Sequence, residues 1–126
     1  MKTETRELLD KAQECLSDAI RFRPIGPRVA GREAYLAAFH AAQALIYEHT
    51  SRIAKTHRGV RAQFSRLFQE MPNLDPDLRR VLAHGYEIKS RADYGTGPEG
   101  VVSVRSAEET IEDATRFVKT IEELLG

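Results

Sequence analysis

Near residue 90 the stretch KSRADYGTG places Arg91, Asp93 and Tyr94 within four positions, just ahead of two glycines. A guanidinium, a carboxylate and a phenol that close together can form a catalytic site, clamp a ligand, or simply end a helix. Arg91 near a helix C-terminus suits the helix dipole, whereas a carboxylate at Asp93 faces its negative end. Such a local conflict is the kind that a functional role or a buried ion pair explains. Tyr94 can cover the core with its ring and bond through its hydroxyl. A second cluster, KTHRG, carries Lys55, Thr56, His57 and Arg58. If Thr56 caps a helix, His57 and Arg58 stand where free N–H groups and the dipole favour an anion. A phosphate held there by Lys55 and Arg58 is the sharper expectation; a plain cap with solvated charges is the bland one. The candidate ligand-binding set is therefore Lys55, Thr56, His57, Arg58, Arg91, Asp93 and Tyr94. Lys55, His57, Arg91 and Tyr94 are expected to converge on one cleft.

Other chemistries find less support. Cys15 is the only cysteine, so no internal disulfide can form, which fits a reducing cytoplasm. Four histidines and one cysteine make no zinc pattern, and His49 and His57 are not the i, i+4 pair of a helical metal site. No metal and no cofactor is expected. His40 reads as a core or seam histidine bonded to a neighbour. Net charge is zero, yet no acid lies between Glu48 and Glu70, while Arg52, Lys55, Arg58, Arg61 and Arg66 are basic. Glu108, Glu109, Glu112, Asp113, Glu122 and Glu123 outnumber Arg116 and Lys119 near the C-terminus. A basic stripe suggests phosphate or RNA. The alternative is a solvated face, or one paired with the acidic helix.

These residues need elements to hold them, and the apolar spacing is helical throughout. Leu8, Leu9, Ala12, Leu16, Ala19 and Ile20 predict a helix over about 3–22, broken by Pro24, Gly26 and Pro27. A second begins near Pro27, runs to about Glu48, and carries an almost all-small stripe of Ala34, Ala37, Ala38, Ala41, Ala42 and Leu45. Small side chains allow close helix approach, which places this helix at the centre of a bundle or in a dimer seam. For a seam the residues are Ala34, Ala38, His40 and Ala41. A third helix, about 57–71, buries Val60, Phe64, Leu67, Phe68 and Met71. A fourth, about 76–93, opens on Asp75-Pro76 and is weakened at Gly85 by about 1 kcal/mol. YGTGPEGVVSV is a loop, and Ser106 with Glu109 reads as the capping box of a last helix over about 106–125. The expected fold is all-α: a single up-and-down bundle of four to five helices spanning residues 1–126. No apolar run is long enough for a membrane span, and MKTETRELLDKAQE lacks an apolar export segment, so a cytoplasmic location is expected.

GREAYLAAFHAAQALIYEH, then AKTHRGVRAQFSRL, then EIKSRADY resembles the HEPN superfamily, in the branch marked by AAFHAA, KTHxG and ADY motifs. The resemblance covers about residues 27–94. It departs at Arg32-Glu33, where that branch tends to carry Asn-Arg, and at Leu36, where it has a second aromatic. The resemblance implies a small helical domain of prokaryotes, a homodimer, and pairing with a minimal nucleotidyltransferase in a toxin–antitoxin-like system. It also implies a metal-independent RNase motif, an arginine followed after four to six residues by a histidine. In that chemistry the RNA 2′-OH attacks its own phosphodiester, a histidine moves the proton and a guanidinium holds the charged phosphorane. Arg91 falls at the arginine, but Thr96, Gly97 and Pro98 occupy the histidine window. Arg52–His57 and Arg79–His84 meet the bare spacing, the first across a loop and helix start, the second with side chains turned about 140° apart. In some relatives a tyrosine beside the motif receives a transferred nucleotide, which marks Tyr94 as a modification candidate.

The residues therefore favour a nucleotide-, RNA- or partner-binding component lacking the usual nuclease histidine. The alternatives are an RNase toxin with a relocated His57/Arg91 site, and a structural helical subunit.

Overall fold

The computed structural model describes all residues, Met1–Gly126. Five α-helices follow one another: α1 (Thr3–Phe22), α2 (Pro27–Thr50), α3 (His57–Glu70), α4 (Asp77–Tyr94) and α5 (Val104–Leu125), with one 3-10 turn at Gly97–Gly100. There is no strand. No helix is long and apolar enough to cross a membrane.

α2 is the central rod. Ala34, Ala37, Ala41, Ala42 and Ala44 are fully buried, and Ala38 nearly so. α1, α5, α4 and α3 all pack against it. The alanine stripe thus brings neighbouring helices of the same chain close together. The seam expected at Ala34, Ala38 and Ala41 is not at the surface, because α2's own neighbours cover it. His40 is only partly covered.

α1 and α2 run antiparallel. The start of α1 meets the end of α2, where Lys2 Nζ donates to the carbonyls of Glu48 (2.9 Å) and Tyr47 (3.3 Å) and to Ser51 Oγ (2.7 Å). An ammonium there answers the unpaired carbonyls that end every helix. α4 is antiparallel to α2 as well: Arg28 at the start of α2 donates to the Ala92 carbonyl near the end of α4 at 3.2 Å. Two glycines permit that approach. A Cβ on Gly31 would stand 2.9 Å from Ile88 Cγ2, and one on Gly85 2.9 Å from Tyr35 Cδ1. Gly85 is therefore the seat of the Tyr35 ring as well as a soft point in α4.

Two boundaries differ from expectation. α2 continues to Thr50 and stops at Ser51, which takes a left-handed conformation (φ 59°). α5 starts at Val104 with Ser103 as its cap, whose hydroxyl accepts from the Ser106 N–H at 3.0 Å. Glu109 pairs with Arg105 at 3.2 Å instead of closing a box with Ser106. The reason is burial: Val102 enters the core, so the chain turns into the helix directly after it. Of the acids on α5, Asp113 is answered by α4, and none pairs with the basic stripe. Asp113 meets Arg80 (3.2 Å) and Arg116 (3.0 Å), and Arg116 reaches Asp77 (2.9 Å). None of Arg52, Lys55, Arg58, Arg61 and Arg66 is in an ion pair.

Candidate functional site

The loop before α3 is pinned to α2. Gln43, buried, donates from Nε2 to the Ala54 carbonyl at 2.7 Å, and its Oε1 lies 2.7 Å from His40 Nδ1. With Gln43 Oε1 available only as an acceptor, His40 carries its proton on Nδ1. Thr56 then caps α3 by accepting from the Gly59 N–H at 2.9 Å. Together these contacts deliver His57, the first residue of α3, onto the aromatic side chains of α2 and α4.

His57 sits among three rings, with centroids 4.8 Å from Phe39, 5.2 Å from Tyr86 and 5.5 Å from Tyr35. Its Nδ1 is 2.8 Å from the Tyr35 hydroxyl. Tyr35 is 1% exposed, and that hydroxyl has no other partner. His57 Nε2 has no protein partner and is not enclosed. Arg61, one turn further along α3, lays its guanidinium 4.6 Å above the Tyr86 ring. From α4 comes Lys89, 8% exposed, whose Nζ is 3.1 Å from Asp93 Oδ2. Asp93 Oδ1 in turn accepts from Arg32 Nε at 2.9 Å, and Arg32 Nη1 reaches Glu33 at 2.8 Å. The carboxylate that conflicted with the α4 dipole is thus held by two cations.

The electrostatics follow. Burial holds His57 below the ordinary imidazole value, and the Lys89 and Arg61 charges push the same way, against a smaller opposing pull from Asp93. His57 is neutral near neutral pH. Burial alone would raise the Asp93 carboxyl, but bonds to Lys89 and the charge of Arg32 leave it below the usual value. Burial pushes the Tyr35 phenol far up, so it stays a neutral hydroxyl. Burial also lowers His40, opposed by its bond to Gln43.

Of the residues expected to meet, the structure gathers some and separates others. His57 is the centre, Thr56 caps its helix, and Asp93 reaches it through Lys89. Lys55 and Arg58 flank it, Lys55 exposed and neither in an ion pair. Arg91 does not join. It lies about 140° round α4 from Tyr86, pairs with Glu87 at 3.5 Å, and lines an open surface hollow with Tyr94, Pro98 and Glu99. Tyr94 is 77% exposed and touches the site only through its ring, 5.4 Å from Lys89 Nζ. The cation that α4 contributes is Lys89. Tyr35, Tyr86 and Lys89 were not singled out from sequence, and Arg32 only as a departure from the family's motif; the readable signal was Arg61, four residues after His57 in the basic stripe. No three His, Cys, Asp or Glu side chains come together as a metal site requires.

The site offers a neutral imidazole, two cations near it, and aromatic faces. That set suits a phosphate group attached to a flat base. In comparisons with known proteins, a family model described as HEPN domain matches residues 5–124. A protein of Methanocaldococcus jannaschii bearing the name "Putative toxin MJ0605" is 31% identical over 126 residues, covering 99% of this chain and 91% of that relative.

Proposed function

This chain belongs to the HEPN family, and from that premise we propose that it is the RNA- or nucleotide-binding component of a toxin–antitoxin-type pair, with His57 as the phosphate contact. One observation carries the reading: the 2.8 Å contact between the buried Tyr35 hydroxyl and His57 Nδ1. The hydroxyl has no other partner, so its proton is satisfied only by donation to Nδ1. The ring proton then resides on Nε2, the nitrogen open to a ligand. An Nε2–H group donates a hydrogen bond to a phosphate oxygen but cannot remove a proton from a 2′-OH. The same nitrogen on a catalytic base would have to be bare. Arg61, over the Tyr86 ring and free of any ion pair, adds positive charge where the phosphate would lie, and its guanidinium plane gives a base a face to stack on.

The relative named as a toxin supports placing this chain in such a pair. The partners are a minimal nucleotidyltransferase and a second copy of this chain, in the cytoplasm. The second copy must use a face other than the alanine stripe, which is already buried. The hollow holding Arg91 and Tyr94, exposed and outside the His57 cluster, is open for partner contact.

The test mixes labelled single-stranded RNA with the wild-type protein and with His57→Ala. The expected result is binding that weakens about tenfold in the variant, one charge-assisted contact's worth, with RNA recovered at full length from both. RNA cut by the wild type and spared by His57→Ala would overturn the reading in favour of a relocated nuclease site.

A further inference from the structure

A second feature lies one turn along α3 from His57. Between α3 and α4 there is a cavity of about 210 Å³ lined by Arg61, Phe64, Ser65, Arg79, Leu82 and Ala83. Its floor is apolar, and its two cations come from opposite helices. Each guanidinium lies over an aromatic ring: Arg61 Cζ is 4.6 Å from the Tyr86 centroid, Arg79 Cζ 4.5 Å from that of Phe68. Contact with a ring positions each charge but meets none of its N–H groups. Neither forms an ion pair, although Arg32, Arg80, Arg91, Arg105 and Arg116 all do. Arg61 Nε is moreover buried without any acceptor, and it is the only buried side-chain polar atom in that state. A guanidinium with a buried, unmet Nε–H and a second one free of any ion pair line one small cavity, an arrangement that an acceptor-rich anion satisfies.

We propose that this cleft is a second phosphate site, in which Arg61 and Arg79 clamp one phosphate of a single-stranded polynucleotide. The proposal rests on the reading of the His57 site, because Arg61 borders both. His57 and Arg61 are separated by one turn, about 6 Å of helix rise, comparable to the step between successive phosphates in an extended strand. The guanidinium planes of Arg61 and Arg79, each backed by a ring, give that strand surfaces to stack on along the α3–α4 groove. The ligand is thus an oligonucleotide spanning two sites rather than a mononucleotide filling one.

The test measures binding of fluorescein-labelled hexauridylate and of uridine monophosphate to the wild type, Arg79→Ala and His57→Ala, across a salt series. Arg79 is exposed at the groove edge, so its replacement leaves the core intact; Arg79→Lys checks the fork against the charge. Arg79→Ala should weaken the hexamer about tenfold and make its log–log salt slope shallower by about 0.7, with monophosphate binding weakened less, because the His57 site remains. Arg79→Lys should restore the slope but not the full affinity. If the hexamer's affinity and slope survive Arg79→Ala while His57→Ala weakens it, the second site is wrong and the His57 reading stands. If neither probe binds the wild type, both fall. An acidic peptide that displaces the hexamer at equal concentration would also overturn the proposal, by making the cleft a protein-docking site.

Discussion

Removing the Tyr35 hydroxyl isolates the lock on His57. Tyr35→Phe keeps the ring seated over Gly85 and deletes only the donor to Nδ1. Nδ1 then loses its partner in a half-buried position, a loss of about 1 kcal/mol in denaturant unfolding. The variant's imidazole should populate both tautomers, because the Tyr35 donor that favours the Nε2–H form is gone. Asp93 is the other informative residue. Asp93→Asn leaves Lys89, nearly buried, without its carboxylate and frees Arg32. Breaking such a pair costs more than the pair itself contributes, so a loss of about 2–3 kcal/mol is expected, discounted for the partial exposure of Asp93. The Arg91→Ala change should move stability by no more than about 0.5 kcal/mol, since its pair with Glu87 is a surface one. At this scale the sequence was only partly legible. The conflict at Asp93 was visible, and so was the anion-favouring start at Thr56-His57. Lys89 was hidden because nothing in the spacing says which polar face of α4 meets α3, and Arg91 stood at the position a motif would select.

Among the elements, α3 depends most on its start. Thr56→Ala removes the one side-chain cap of a helix of 14 residues and should cost about 1 kcal/mol, while loosening His57 and so weakening RNA binding. Anisotropy and thermal melts on one preparation separate the two effects. α4 carries the opposite lesson. By helix propensity Gly85→Ala should stabilise by about 1 kcal/mol. The Cβ would instead meet Tyr35 Cδ1 at 2.9 Å, with the Tyr35 ring fully enclosed and unable to move aside. Overpacking of that kind costs about 1–3 kcal/mol, so the variant should melt below the wild type. Five helices were readable because each carries an apolar stripe at helical spacing. The start of α5 was not, because Ser103 and Ser106 are both plausible caps and only the burial of Val102 chooses between them.

For the whole molecule, stability should fall as the solution becomes mildly acidic. His57 and His40 both bind protons less readily folded than unfolded. Below the unfolded histidine value of about 6.5, the unfolded chain takes up protons that the native chain refuses, and stability drops with pH until the folded values are passed. The groups facing His57 are Lys89, Arg61 and His40, which deepen the effect, and Asp93, which opposes it. Asp93, whose folded value is depressed, adds a second loss at lower pH, as its carboxyl protonates in the native state. Denaturant midpoints between about pH 7 and 5 should therefore decline, and less steeply in His57→Gln. RNA affinity should move the other way, rising as His57 gains charge beside the phosphate. The alanine stripe gave the architecture its most legible global feature, a central rod, but sequence alone could not decide whether the rod's neighbours came from its own chain or another. The burial of Ala34, Ala38 and Ala41 decides it.

The most direct measurement is a long-range ¹H–¹⁵N NMR spectrum of the His57 ring at neutral pH, followed while hexauridylate is added. Nδ1 should be bare and Nε2 protonated from the outset, with the Nε2–H resonance shifting as RNA binds. A proton on Nδ1 with Nε2 bare, or an Nε2–H signal that RNA leaves unmoved, would contradict the proposed role of His57.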